Sequence, residues 1–471
     1  MLFNNWAFLV FFVLVYGAYV CLGRKAQNVV LVIASYVFYA FWDYRFLSLL
    51  FASTLADYYI GIWLGRAEGA KKRNLVKASV VLNLVFLGVF KYFNFFIGSV
   101  ATGLEALGLH ANLPVLNVIL PVGISFYTFM SLSYTIDVYR GDTKPARSFI
   151  DYALFVAYFP HLVAGPIVRD TVLLPQLQKK RTVTAQQLQS GMLLVLFGLT
   201  RKVAADYVAA DVESAFAAPH AHTSIAVLTA VFLFALQIYG DFAGYTDVAR
   251  GISRMMGIEL VRNFEHPYFA TNITAFWRRW HMSLSSWLRD YLYIPLGGNR
   301  GSQLFGYRNL MLTMLLGGLW HGASWNFVVW GGLHGLALSV HKLYLRGKPP
   351  VLRPEVKSTR DAVGALAAWG LTFAWVCLAW VFFRAPTFSS AMGVLGSIVH
   401  FHGGLELGFF KRAFIAVVIL LFIDVPQYRQ RDETAMLRWP WPVRGVVHAA
   451  LILILIILRT SQDVPFIYFQ F

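Results

Sequence analysis

Long apolar runs separated by short polar and basic links set the pattern along this chain. A membrane-crossing helix needs about 20 predominantly apolar residues. Runs near that length predict helices at 6–22, 28–42, 46–64, 78–97, 113–136, 149–168, 188–207, 223–245, 323–341, 361–383, 412–425 and 444–459, the shortest of them tilted, broken or re-entrant. The run 149–168 contains Phe159-Pro160-His161-Leu162-Val163-Ala164-Gly165-Pro166. Two prolines and a glycine interrupt a helix, so this segment reads as a re-entrant loop buried among other helices.

The links carry an asymmetric charge. Arg66, Lys71, Lys72, Arg73 and Lys77 share one link, and basic residues recur at 140–147, 179–181 and 342–360. The loops near 98–112 and 208–222 contain no lysine or arginine. By the positive-inside rule the basic links are cytoplasmic and the other two loops face the opposite side. The run from Trp6 to Leu22 lacks a preceding positive charge and is followed by Arg24-Lys25, which suits a retained first helix rather than a cleaved signal.

Composition agrees. Of 471 residues, 58% are hydrophobic and only 13% charged, and the mean hydropathy is +0.59. Soluble domains carry roughly 25% charged residues, so the chain reads as an all-α polytopic membrane protein. The net charge of +17 is scattered between apolar spans and forms no continuous stripe, which argues for membrane lipid and topology and against nucleic acid. Cys21 and Cys377 sit in apolar runs, far from any second thiol, and fit neither a disulfide framework nor a metal site. No domain-sized soluble region stands out, so 1–471 reads as a single membrane domain. Within it, residues 246–308 hold no full span and form a cytoplasmic amphipathic or re-entrant part.

The candidate chemistry lies between Phe276 and Gly335. This stretch opens on Trp277-Arg278-Arg279-Trp280-His281 and passes through Arg289-Asp290 and the turn Gly297-Gly298-Asn299-Arg300-Gly301. It then enters the apolar run Leu310–Leu319, which ends on Trp320-His321-Gly322. Ten or twelve helical residues rise about 15–18 Å, roughly half of a 30 Å hydrocarbon core. Counted from the cytoplasmic side, that places His321 near mid-bilayer beside Gly317-Gly318, glycines that permit close packing or close approach of a ligand, and a cavity or tunnel is expected at His321. An intramembrane histidine is either a core residue satisfied by backbone or a group used in chemistry. His281, 321 − 281 = 40 residues upstream in a polar, Trp-rich context, tips the reading to chemistry.

The longer motifs resemble a known family. They are NVVLVIASYVFYAFWD (28–43), LPVGISFYTFMSLSYTIDVYRGD (120–142), FVAYFPHLVAGPIVR (155–169), YGDFAGYTDVARGI (239–252), FWRRWHMSLSSWLRDYLYIPLGGNRGS (276–302), LTMLLGGLWHGASWNFVVWGGLHG (312–335) and PFIYFQF (465–471). In that order they resemble the membrane-bound O-acyltransferase superfamily, in particular its polysaccharide-acetylating branch. The resemblance implies a bowl of about 11–13 tilted or broken helices around a central tunnel, with re-entrant segments. It also implies His321 as the essential histidine and His281 as the second polar position. The implied donor is acetyl-CoA or another cytoplasmic acetyl thioester, with no bound cofactor and no metal. The implied partners are a periplasmic SGNH-type acetyltransferase and a polysaccharide synthesis and export complex, at a bacterial inner membrane.

Chemistry gives these residues roles. Forming an ester from a thioester needs an activated hydroxyl and a stabilised oxyanion. A neutral imidazole at His321 can take the hydroxyl proton and return it to the leaving thiolate, while His281 orients a reactant or stabilises charge. Arg278, Arg279, Arg289 and Arg300 are candidates for the donor's phosphates, against the plainer reading of positional or lipid-facing cations. Trp320, Gly318 and His161 are candidate tunnel-lining residues, His161 equally a packing residue. His334 reads as structural, and Asp241 and Asp247 as a helix cap or an ion pair. No GxSxG, HExxH or Walker A signature is present. Alginate, cellulose and peptidoglycan are open as substrates. Two alternatives remain beside this reading: D-alanyl transfer by a member of the same superfamily, and a non-catalytic channel for an acyl donor.

Overall fold

Apolar runs with few breakers satisfy their backbone internally as helices, and among the described residues there is no strand. The computed structural model describes residues 3–459 and 464–467, apart from Ala111 and Val118. The last four residues of the PFIYFQF motif lie outside the described residues. The chain is an all-α, multi-pass membrane protein. Among the described residues, four helical stretches are long and apolar enough to cross a bilayer: Arg24–Leu64, Gly69–Ala106, Ser224–Met255 and Thr359–Arg384.

The chain divides into two compact units, Met1–Gly191 with Ala249–Val261, and Met192–Val248 with Arg262–Phe471. The first unit contains α1 (Trp6–Val20), α2 (Arg24–Asp43), α3 (Leu47–Leu64), α4 (Gly69–Leu87), α5 (Phe93–Ala106), α6 (Ile124–Arg140), α7 (Phe149–Ala157) and α8 (Asp170–Gln178). A π turn, Gly88–Tyr92, links α4 to α5. The helix expected at 78–97 is therefore much longer, and Lys71, Lys72, Arg73 and Lys77 ride on its first turns rather than in a loop. The helix expected at 113–136 begins only at Ile124, because Pro114, Pro121 and the left-handed Gly123 (φ 77°) hold the preceding chain open. Buried polar pairs tie these helices together: Asp57 on α3 accepts hydrogen bonds from Ser79 (2.6 Å) and Asn83 (2.8 Å) on α4.

The run at 149–168 breaks where its prolines and glycine put the break. α7 has nine residues, a rise of about 14 Å and too little to cross. Residues 158–169 follow as buried turns. Ser35 Oγ accepts the Phe159 N–H (3.0 Å) and the Leu162 N–H bonds to Tyr158 O (3.1 Å), so this irregular backbone is satisfied inside protein. Gly165 is needed here, since a Cβ would come 2.3 Å from the His161 Cα. If the 149–168 segment turns back, the basic residues 71–73 and 179–181 are expected on one face. Single cysteines at Ala70 and Gln178, both exposed, in a protein lacking Cys21 and Cys377, should label from the cytoplasmic side alone. Labelling from opposite sides would mean that the 149–168 segment crosses.

The division between the units falls within α9 (Ala185–Ala217) and α10 (Ser224–Met255). The second unit continues with α11 (Ile273–Trp277), α12 (Met282–Leu288), α13 (Gln303–His321), α14 (Trp325–Leu345), α15 (Thr359–Arg384), α16 (Phe388–Val399), α17 (Leu407–Gln430) and α18 (Trp441–Ile457). Much of the 208–222 loop is thus the last turns of α9. α9 and α10 touch backbone to backbone at Gly198 and Gly244, where a Cβ on Gly198 would lie 2.5 Å from the Gly244 carbonyl oxygen. Asp241 and Asp247 sit inside α10, not at its end, and both pair with cations of α9: Asp241 with Lys202 at 2.8 Å, Asp247 with Arg201. Arg201 also meets Asp424 of α17 at 2.6 Å. The ion-pair reading holds, and the cap reading does not.

Candidate functional site

The segment carrying His281 is built from two short helices held by asparagines. Asn272 caps α11 by accepting the Ala275 N–H at 2.8 Å. His281 then takes the N-cap of α12 in a left-handed conformation (φ 43°), which costs a non-glycine residue on the order of 1–3 kcal/mol. Asn263, fully buried, secures the turn. Its carbonyl accepts the Met282 N–H (2.9 Å) and its Oδ1 accepts the Ser283 hydroxyl (2.6 Å). Phe242 of α10 meets the imidazole edge-on at 4.7 Å between ring centroids. A strained, fully buried histidine fixed by its neighbours is what a preorganised polar site looks like.

His321 is brought to the same place by a helical hairpin. α13 and α14 run antiparallel, and their close approach depends on glycine. A Cβ on Gly318 would lie 2.1 Å from the Phe327 carbonyl oxygen, and one on Gly331 would lie 2.3 Å from that of Met314. Gly318 therefore gives room to a neighbouring backbone, the close packing that the sequence reading offered beside the approach of a ligand. A Cβ on Gly317 would meet only the end of Leu288, at 3.1 Å. α13 is 19 residues long, a rise of about 27 Å. It starts at Gln303 under a Ser302 cap, seven residues before the apolar run begins. Helix length alone thus does not stop His321 halfway through a bilayer. The helix ends on His321, and the chain reverses through Gly322–Ser324 into α14.

The two histidines meet. Their ring centroids are 6.1 Å apart, with Trp320 at 5.7 Å from His281 and 5.1 Å from His321. Trp330 of α14 and Phe383 of α15 close on His321 at 5.0 and 5.3 Å. Behind this pair, Trp280, Trp330 and Trp380 are almost wholly buried and pack together, Trp280 to Trp380 at 5.0 Å and Trp330 to Trp380 at 5.9 Å. His334 accepts the Trp277 indole N–H on Nδ1 (3.2 Å) and meets Trp330 edge-on at 4.8 Å.

The candidate arginines differ in their surroundings. Arg279 is buried; it donates to the Leu352 carbonyl (2.6 Å) and lies over the Tyr428 ring at 5.6 Å, so it fastens the 349–354 loop. Arg289 is engaged by Asp290 at 2.6 Å, and that hydrogen bond holds its guanidinium above the ordinary arginine value. Arg278 and Arg300 are exposed. The glycine turn at 297–301 is tied to the base of the hairpin, with Asn309 donating to the Gly298 carbonyl (3.1 Å) and Lys342 to Asn299 Oδ1 (2.6 Å). His161 belongs to the first unit, where it is buried beside Tyr158 at 5.6 Å.

Sequence reasoning missed Asn263, Phe242 and Phe383. Asn263 lies 18 residues before His281 in an irregular segment, and no periodicity links Phe383 to His321. Their contribution comes from tertiary packing alone.

The model of the MBOAT, membrane-bound O-acyltransferase family, matches residues 142–383, which span both histidines. The chain belongs to the membrane-bound O-acyltransferase family. It is similar to a probable alginate O-acetylase AlgI of Pseudomonas aeruginosa, at 41% identity over 444 residues, covering 91% of this chain and 82% of that one. It is 36% identical over 437 residues to a peptidoglycan O-acetyltransferase of Helicobacter pylori, covering 86% and 80%. A teichoic acid D-alanyltransferase of Bacillus subtilis is 27% identical over 289 residues, covering 58% and 71%. Like other members of this family, the protein is an O-acyltransferase.

Proposed function

We propose that this membrane O-acyltransferase takes an acetyl group from a cytoplasmic thioester, acetyl-CoA being the donor of choice, and passes it across a bacterial inner membrane. There a periplasmic SGNH-type partner, working with a polysaccharide synthesis and export complex, places it on an exported or cell-wall polysaccharide. The observation that carries this reading is the buried His281–His321 pair, 6.1 Å apart, in a chain whose more similar relatives are named for acetylation. His321 is the base. It takes the proton of an acceptor hydroxyl whose oxygen attacks the thioester carbonyl carbon, and the C–S bond then breaks. The imidazolium returns the proton to the leaving thiolate. His281 orients the reacting carbonyl or steadies its developing charge.

Acetyl transfer is favoured over D-alanyl transfer because similarity to the acetylases is higher and runs over more of the chain. The channel alternative is weakened by the pair itself, since a conduit needs no buried base. The test is purified protein, reconstituted in vesicles, with labelled acetyl-CoA outside or a D-alanyl carrier protein in its place. Turnover of the acetyl thioester supports the proposal. Donor flux without turnover, or turnover of the D-alanyl carrier alone, overturns it. In the same assay, Arg278→Gln with Arg300→Gln should raise the KM for acetyl-CoA several-fold and leave kcat near its original value. An unchanged KM would leave these exposed arginines as lipid anchors. Arg279→Gln should instead lower thermal stability, because it releases Leu352.

A further inference from the structure

One end of the second unit, where the turn between α9 and α10 meets the turn before α17, holds three polar side chains in series. Ser214, exposed in the last turn of α9, has its Oγ 2.8 Å from His222 Nε2. The other ring nitrogen, Nδ1, lies 3.2 Å from Glu406 Oε2. The second carboxylate oxygen of Glu406 accepts the Thr223 backbone N–H at 2.7 Å.

The order of these groups fixes where the protons are. Glu406 is the N-cap residue of α17, a 24-residue helix, and an N-terminal helix end favours negative charge. The Thr223 amide further holds the carboxyl below the usual carboxylate range. An ionised carboxylate can only accept, so a neutral imidazole at His222 has to carry its proton on Nδ1. Nε2 is then left with a lone pair, and the Ser214 hydroxyl donates to it. The ring is also held mechanically: Phe409 meets it edge-on at 5.4 Å. His402 Nε2 lies 2.9 Å from the His222 carbonyl oxygen, and the Ser224 N–H bonds to the His402 carbonyl at 3.1 Å, sewing the two turns together. A solvated surface chain needs neither a fixed tautomer nor a clamped ring. Nucleophile, base and carboxylate in this order are recognised by geometry, whatever the fold and chain order.

We propose that Ser214, His222 and Glu406 form a second acyl-transfer centre whose substrate is an acyl ester or thioester. Ser214 Oγ attacks the acyl carbonyl carbon and its proton passes to His222 Nε2. The C–O or C–S bond breaks, and the leaving group takes that proton as an alcohol or thiol. The acyl group stays as an ester on Ser214. A sugar hydroxyl or water, deprotonated by the same nitrogen, then attacks this ester and regenerates the serine. Ser214 belongs to the stretch 208–222, which contains no lysine or arginine. By the positive-inside rule a stretch without basic residues is expected on the face away from the cytoplasmic links. An acyl group leaving the protein for an external acceptor has to be handed over at that face.

The centre can be tested without a functioning His321. Full-length protein in detergent is treated with a fluorophosphonate, which forms a stable adduct on activated serines, and the adduct is located by peptide mass mapping. Ser214 should be labelled. His222→Ala and His222→Gln should each slow labelling by about 10²-fold or more, and Glu406→Gln by a smaller factor. His321→Ala should label at the original rate, so failure of this centre is read separately from failure of the acetyl transfer proposed above. Two results would overturn the proposal: no adduct on Ser214 in protein with normal thermal unfolding, or a labelling rate indifferent to both His222 changes. The trio would then be a surface hydrogen-bond chain.

Discussion

Replacing His321 with alanine should abolish acetyl transfer and leave the protein folded. Its imidazole is the base of the proposed reaction, and loss of general-base help typically lowers a rate by 10²–10⁴-fold. The ring packs against Trp320, Trp330 and Phe383, so its removal costs some aromatic contact while leaving the α13–α14 glycine contacts untouched. His321→Gln separates position from proton transfer: the amide keeps a polar group there but cannot accept a proton at neutral pH, and it should be almost as inactive. His281→Ala should impair transfer less if its part is to orient a reactant. The measurement is polymer acetylation in cells, with the membrane level of each variant determined alongside. Near-normal acetylation by His321→Ala at a normal membrane level would remove the centre of the proposed mechanism.

Gly318→Ala and Gly331→Ala should damage the fold itself. Each new methyl would come 2.1–2.3 Å from a carbonyl oxygen of the facing helix, and a backbone oxygen cannot swing aside as a side chain can. The hairpin has to splay, at a cost of about 1–3 kcal/mol or more for overpacking of this kind. The same change at Gly364 of α15 meets nothing within 4 Å and should be neutral or slightly stabilising, since alanine favours a helix. Gly317→Ala should fall between, because the Leu288 side chain can yield. Thermal unfolding of the purified variants, followed by tryptophan fluorescence, ranks the four. If Gly318→Ala unfolds at the same temperature as Gly364→Ala, the two helices do not pack as closely as described. Splaying the hairpin also moves His321, so Gly318→Ala should lose activity in proportion to its loss of order at the hairpin tip.

Helix content and membrane character were legible in the chain because both follow from local physics. Apolar runs near 20 residues must satisfy their own backbone in a bilayer, and prolines and glycines mark where they cannot. The break after Ala157 and the late start of α6 both fall at such residues, although the second was not anticipated. The two histidines were legible for a different reason: each stands in a long motif shared with a known family, and neither polarity nor spacing alone would have joined them across 40 residues.

What the sequence by itself could not determine is every feature that depends on which surface faces which. The charged first turns of α4 looked like a loop, because hydropathy stops where charge begins while the helix does not. Gly318 could have served close packing or a ligand, and only the arrival of Phe327 from α14 makes it a backbone contact. Four arginines looked alike, yet Arg279 is committed to Leu352 and Arg289 to Asp290, leaving Arg278 and Arg300 exposed. Asn263 and Phe383 gave no signal at all, and neither did the series Ser214, His222, Glu406, whose last two members are 184 residues apart. Local sequence fixes backbone preference within a few residues. Long-range pairing is decided by packing, where each contact depends on all the others being made.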